Sequence, residues 1–296
     1  MRSDSCARTP ARGTAIVFGE VLIDVYPNEE VVAGALLHVA SHLAALGWKT
    51  HFVTRIGADS DGARIRAVLA RYNLDGDFVE VDPELPTGRV TVSTEDGENR
   101  FTIHRPAAWD AIECAASPPP HDVFCYGTLA ARDERTRATL RRLLSSSGAR
   151  LKALDMNLRP PDVDADVLRL ALGGASVLKL NEEELDQAAR ILGLRPFPGS
   201  YFEAAPGLEW LCVTRGPKGA SLHDRSGGTW TIAGAEVEVV DTVGAGDAFM
   251  AGLVDALAGD APPGAALAAA TDCAVSVLTA RGGLPGAGRR AARGTV

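Results

Sequence analysis

Two glycines flanking one residue, with an acidic side chain immediately after them, mark the stretch of this chain best suited to chemistry: Val239-Val240-Asp241-Thr242-Val243-Gly244-Ala245-Gly246-Asp247-Ala248-Phe249. A strand-like apolar pair, Val239 and Val240, leads into a turn, and an apolar helical run over 248–258 leaves it. Gly244 and Gly246 allow successive N–H groups to converge on one point, and the positive end of the new helix adds to them. The main-chain amides of Gly244, Ala245 and Gly246 thus make a cradle for an anion. Asp247 falls in the first helical turn beside that cradle, where a carboxylate repels a resting phosphate. Its presence has two explanations at this level: it takes the proton from an attacking hydroxyl, or it caps the helix.

Other chemistry-bearing side chains are scattered along the chain. Asp24 follows the apolar run Val21-Leu22-Ile23, where a strand-end carboxylate can accept two hydroxyls or stand in solvent. Arg159 could reach a substrate oxygen from a loop after Asn157, or lie on the surface; Arg105, at the end of a β-rich segment, is a weaker candidate. The five cysteines are odd in number and show neither zinc spacing nor a disulfide framework, so they read as buried, inert thiols.

The elements that must position these residues alternate in type. Apolar runs at 14–18, 50–56, 123–126, 151–154, 175–178 and 210–213 read as strands, and helical periodicity at 36–46, 59–72, 134–144, 165–172 and 182–192 separates several of them. Such alternation predicts an α/β fold: a doubly wound, mostly parallel sheet with helices on both faces. Two segments break the rhythm, 21–32 and 87–104, and the second alternates with period two around Asp96-Gly97, a hairpin signal. Together they suggest a small β lid, from about 21–34 and 87–105, over a sheet that otherwise occupies 14–285, with flexible tails at 1–13 and 286–296. A lid that excludes water suits phosphoryl transfer to an alcohol, because water competes as nucleophile.

A net charge of −8 removes the electrostatic footing for a general nucleic-acid role. No run approaches the roughly 18 apolar residues that span a bilayer, and the N-terminal segment lacks the apolar core of a signal peptide, so the expectation is a cytoplasmic protein without membrane partners. The hydrophobic fraction of 46% suits a sizeable core.

The nonapeptide 241–249, DTVGAGDAF, resembles the C-terminal signature of the PfkB, or ribokinase-like, carbohydrate kinases. Further matches follow in order: GEVLID at 19–24, AAWD at 107–110, DMNLRP at 155–160, KLNEEE at 179–184 and VTRGPKGA at 213–220, most similar to the fructokinase-like branch. The resemblance implies an ATP-dependent kinase acting on a sugar or sugar-like hydroxyl. It implies Asp247 as general base and Gly244, Ala245 and Gly246 as anion hole. Asp24, Gly34, His38, Arg105 and Arg159 would face the acceptor, and Thr214, Gly216 and Gly219 would line the nucleotide cleft. Asn181 and Glu184 would position Mg²⁺ through water near the ATP phosphates, their spacing of three placing both on one helical face. A monovalent cation such as K⁺ is implied near Asp241.

One motif departs from the family. Where its members carry a Gly-Gly pair and then Asn, this chain has Ala33, Gly34 and His38. The imidazole places its donor and acceptor on separate ring atoms and reshapes the pocket, which keeps open a nucleoside or modified sugar as acceptor. A catalytically silent sugar- or nucleotide-binding protein is a rival from another class, although such a protein has no need of Asp247, Asn181 and Glu184 together. A Rossmann dehydrogenase is disfavoured, because Phe18-Gly19-Glu20-Val21 stands where its glycine fingerprint would be. The exposed lid strands suggest a homodimer formed through them.

Overall fold

The computed structural model describes residues 12–286 except 75, 96, 97 and 161; for 94, 95, 98 and 99 it describes the backbone alone. The chain opens with β1 (Thr14–Phe18), runs through β2 (Leu22–Val25) and β3 (Glu30–Ala33), and enters α1 (Ala35–Ala45). Strand β4 (Lys49–Gly57), helix α2 (Ser60–Arg71) and β5 (Val79–Asp82) precede β6 (Gly88–Glu95) and β7 (Glu98–Ile103). The doubly wound rhythm resumes with β8 (Val123–Gly127), α3 (Glu134–Ser146), β9 (Leu151–Asp155), α4 (Ala165–Gly174), β10 (Val177–Asn181) and α5 (Glu182–Leu192). After α6 (Pro198–Ala204) come β11 (Trp210–Thr214), β12 (Ala220–Asp224), β13 (Thr229–Ile232), α7 (Ala245–Ala258) and α8 (Pro263–Leu278).

Nine strands form one sheet in the order β13-β12-β11-β10-β9-β8-β1-β4-β5, parallel from β11 to β5 and antiparallel at the β11-β12-β13 edge. Strand periodicity divides the apolar side chains between two cores. Ala15 and Val17 of β1 pack with Leu36, Leu43, Leu253 and Leu267 of α1, α7 and α8; Ile16 and Phe18 pack with Leu140, Leu168 and Ala188 of α3, α4 and α5. Helices therefore cover both faces of the sheet.

The two segments that break the rhythm build the second sheet, ordered β3-β2-β6-β7. Strands β6 and β7 pair antiparallel as a hairpin whose turn, Asp96-Gly97, lies outside the described residues. Among the described residues this small sheet carries a satellite core of Leu22, Ala33 and Val90, with Ile103 against it.

Local differences from the expected elements have physical reasons. Val239 and Val240 are exposed and belong to no strand; the Val240 amide donates to the Leu278 carbonyl at the end of α8 (2.7 Å) instead of to a sheet neighbour. The strand expected at 175–178 is β10, displaced toward its C-terminus because Ala175 caps α4. Arg12 and Gly13 are held rather than loose: Arg12 pairs with Asp255 and the Gly13 carbonyl accepts from Lys49 N (3.0 Å). The remainder of the two expected tails, 1–11 and 287–296, lies outside the described residues.

Candidate active site

Open parallel sheets bind ligands beyond the carboxyl ends of their strands, and most of the candidate residues gather there. Strand β1 leads to Glu20, β9 ends at Asp155, and β10 and β11 end side by side at Asn181 and Thr214. The N-terminus of α7 stands over the same edge. Gly244, its N-cap, has φ 77°, and a Cβ there would come within 2.4 Å of Gly283 Cα, so both the conformation and the crowding require glycine. Ala245 N donates weakly to the Thr242 carbonyl (3.3 Å), which leaves the Gly244 and Gly246 amides as the turn's readiest donors. Gly246 is exposed, so the turn is open to solvent.

Asp247 occupies the first turn of α7 with its side chain 16% exposed. Its Oδ2 lies 2.8 Å from Nδ1 of His38 on α1. Asp24, on β2, lies close enough to respond to both His38 and Arg159: burial raises its carboxyl above the ordinary range, and those two positive or ionisable groups oppose the rise. Gly34 is the N-cap of α1, and its carbonyl accepts from the His38 amide (3.0 Å). Asp24, Gly34, His38, Arg159 and Asp247 are thereby brought into one neighbourhood. Arg105 is not joined to them; it forms an exposed ion pair with Asp162.

Beneath the cradle sits a pair that the sequence reading did not single out. Lys179 Nζ contacts both oxygens of Asp155 at 2.8 Å, and it lies 3.5 Å from where a Cβ on Gly246 would stand. Burial pushes the Asp155 carboxyl up to about 6, Lys179 opposing and Asp247 and Glu184 adding to the rise. The signal was present as a lysine interrupting the apolar run of β10. Glu20 was also missed. It is buried, its Oε2 has no hydrogen-bond partner, and burial first, then Asp247, push its carboxyl up to about 7 with its own backbone and Arg159 opposing.

Asn181 and Glu184 meet at the start of α5. Asn181 is the N-cap of α5, and the two residues close a capping box: Asn181 Oδ1 accepts from Glu184 N (2.8 Å), and Glu184 Oε2 accepts from Asn181 N (2.9 Å). Glu184 Oε1 accepts from Leu158 N (2.9 Å), which ties α5 to the loop after β9. Among the described residues no group of three or more His, Cys, Asp or Glu side chains could hold a metal directly. Thr214 Oγ1 bonds weakly to the Leu180 carbonyl (3.4 Å), and Gly216 (φ 53°) has open space where a Cβ would be. Gly219 has an internal reason to be glycine, since a Cβ there would lie 2.0 Å from the Ile232 carbonyl oxygen. Asp241 accepts from Val243 N (3.0 Å) and Gly282 N (2.9 Å), joining the glycine turn to the segment after α8. Of the cysteines, Cys114, Cys125 and Cys212 are buried and Cys273 half-buried, all unpaired, and burial raises each thiol.

A mostly parallel sheet with an anion cradle and a carboxylate at its carboxyl edge, and a separate four-stranded flap, is the arrangement of the ribokinase-like small-molecule kinases. The family model for the pfkB family carbohydrate kinases matches residues 12–287, and the chain belongs to that family. It is 32% identical to a fructokinase of Salmonella typhimurium over 302 aligned positions, covering 90% of this chain and 94% of that one. A crystal structure of aminoimidazole riboside kinase from Salmonella enterica, complexed with aminoimidazole riboside and an ATP analog, superposes with TM-score 0.76 at 23% identity, covering 92% and 95% of the two chains. A fructokinase double mutant from Vibrio cholerae, bound to fructose, ADP and potassium, superposes with TM-score 0.77 at 22% identity, covering 94% and 96%. The protein is an ATP-dependent carbohydrate kinase acting on a sugar or sugar-like substrate. No helix among the described residues is long and apolar enough to cross a membrane.

Proposed function

We propose that Asp247 is the general base that removes the proton from the acceptor hydroxyl as the γ-phosphoryl group of ATP transfers to it. The observation that carries this reading is the carboxylate's place at the open mouth of the glycine turn, beside amides that no helical carbonyl satisfies. One proton leaves the acceptor oxygen for Asp247, the acceptor oxygen bonds to the γ-phosphorus, and ADP leaves with the electron pair of the broken P–O bond. The amides of Gly244, Ala245 and Gly246 hold the charge that develops on the phosphoryl oxygens, with Gly246 best presented. Lys179 adds positive potential from below and offsets the Asp155 carboxylate on the floor of the cradle.

The residues at the start of α5 suit a hydrated divalent cation. Each Glu184 oxygen accepts one backbone amide and retains a lone pair for water, which matches the preference of Mg²⁺ for keeping its waters. Bound there with the nucleotide, Mg²⁺ neutralises phosphate charge. Thr214 and Gly216 flank the nucleotide at the ends of β11. Asp241 likewise retains acceptor capacity beyond its two amides, and K⁺ near it would stiffen the turn that presents the cradle. On the acceptor side, Asp24 binds hydroxyls, Gly34 lets the backbone approach, and Arg159 meets an oxygen or carboxylate; Arg105 takes part only if it leaves Asp162. His38, beside Asp247, favours a nucleoside or modified sugar as the alternative acceptor class. The lid closes over the cleft, and its free edges pair two copies.

Release of ADP measured over a panel of hexoses, pentoses and nucleosides tests this. With the best acceptor, Asp247→Asn should lower kcat by roughly two to four powers of ten, the range for loss of a general base. A variant within tenfold of wild type would reduce Asp247 to a helix-terminal residue, and binding without turnover across the panel would favour the silent reading.

A further inference from the structure

The contact between His38 and Asp247 has a function of its own within the reading just given, on which it rests. An ionised carboxylate carries no hydrogen, so at 2.8 Å the Nδ1 atom of His38 is the donor and Asp247 Oδ2 the acceptor. With Oδ2 engaged, Oδ1 is the oxygen left to receive the acceptor's proton. The imidazole is itself fixed. Its side chain is 6% exposed, and its ring lies over Gly283, where a Cβ would come within 2.6 Å of Cε1 and 2.8 Å of Nδ1. Gly283 is held by contact of its carbonyl with Nε2 of His42 (3.0 Å), one helical turn further along α1, and its neighbour Gly282 by Asp241 (2.9 Å). The charged or titratable groups around His38 are Asp247 from α7, Asp24 from β2 and His42 on its own helix.

We infer that His38 is a positioning residue for catalysis: it locks the Asp247 carboxylate in its reactive rotamer through Nδ1–H, and Gly283 is the bare backbone surface that holds the ring in line. His38 thereby acts through the base, and the glycine at 283 is needed for space. A fixed carboxylate is worth a large factor in rate, because the reacting geometry does not have to be found at each turnover.

The geometry separates two isosteres. Asparagine places its amide nitrogen where Nδ1 now stands, whereas glutamine places its nitrogen one bond further out. In the full-length protein, with the best acceptor from the panel, His38→Ala and His38→Gln should lower kcat by roughly 10–100-fold, the scale for loss of one charge-assisted, orienting hydrogen bond, with KM for ATP unchanged. His38→Asn should restore kcat to within about threefold of wild type on the same principle. Gly283→Ala, which removes no functional group, should lower kcat in the same direction by pushing the ring aside. Long-range ¹⁵N NMR of the imidazoles should show Nδ1 of His38 protonated in wild type and shifted in Asp247→Asn. A His38→Ala variant with wild-type kcat, or a His38→Asn variant as impaired as His38→Gln, overturns the inference while leaving phosphoryl transfer intact. Absence of turnover by the wild type across the panel removes the role of Asp247 as base, and this inference with it.

Discussion

Glu20 shows how the site treats a buried charge. It follows β1 directly, lies fully enclosed, and has an oxygen without a partner, so its ionised form is disfavoured by desolvation first and by Asp247 next. Its carboxyl is raised from 4.5 in the unfolded chain to about 7 in the fold. An acid whose folded pKa is raised holds its proton in the native state where the unfolded chain has lost it. Its stabilising contribution is complete below the unfolded value and is lost as pH climbs through the folded one. Glu20→Gln should therefore nearly match wild type in urea denaturation near pH 4.5 and exceed it by about 3 kcal/mol at pH 8. A difference independent of pH would show that Glu20 is solvated. Neither Glu20 nor the contact of His38 with Asp247 could be read from the chain. His38 stood out in the sequence as a departure from the family's motif, but its partner, 209 positions away, is settled only by how α1 packs on α7. The place of Asp247 in the first turn of α7 was legible because the glycine turn beside it is also its neighbour in sequence.

Helix ends do much of the positioning at the next scale up. Asp59, the N-cap of α2, accepts from Gly62 N (2.8 Å), and the same carboxylate accepts from the amide (2.8 Å) and hydroxyl (2.7 Å) of Thr87, just before β6 of the second sheet. One side chain thus caps a helix and anchors the entrance to the flap. Asp59→Ala should cost about 2–3 kcal/mol in chemical denaturation, more than a cap alone, since the buried Thr87 amide also loses its partner. A loss of about 1 kcal/mol or less would mean that Thr87 finds another acceptor. The tie to Thr87, 28 positions on, cannot be read from the chain. The start of α5 differs in kind. An Asn and a Glu three apart do come together there, and what the spacing did not give is that each side chain bonds the other's main-chain amide across the first turn. Val239 and Val240 misled for a related reason. Two β-branched residues favour a strand only where a partner strand is free to receive them, and here the nearby acceptor is the end of α8.

The whole molecule follows from strand alternation, which is why its layers were the easiest part to anticipate. Neighbouring residues of one buried strand serve opposite cores, so periodicity alone announces helices on both faces. The second sheet was recognisable for the complementary reason, as β-rich sequence with no helix between its strands β6 and β7. Its edges are β3 and β7, and Val31 and Phe101 expose 38% and 53% of their surface along them. Pairing of two copies through these edges predicts a dimer in analytical ultracentrifugation that Phe101→Glu weakens, with the melting temperature of the subunit unchanged. A wild type that sediments as a monomer at all concentrations would end that proposal.

The crowding of Asp247 against the phosphate cradle bears on how a cycle finishes. With Asp247 as base, the proton taken from the substrate neutralises that carboxylate just as the new phosphate ester forms beside it. When the proton escapes, an anion and a phosphate monoester are left side by side, and at about 5 Å and an effective dielectric constant near 20 each pair of charges repels by about 3 kcal/mol. Resetting the base then weakens the hold on the phosphorylated product, which favours its release before the next turnover.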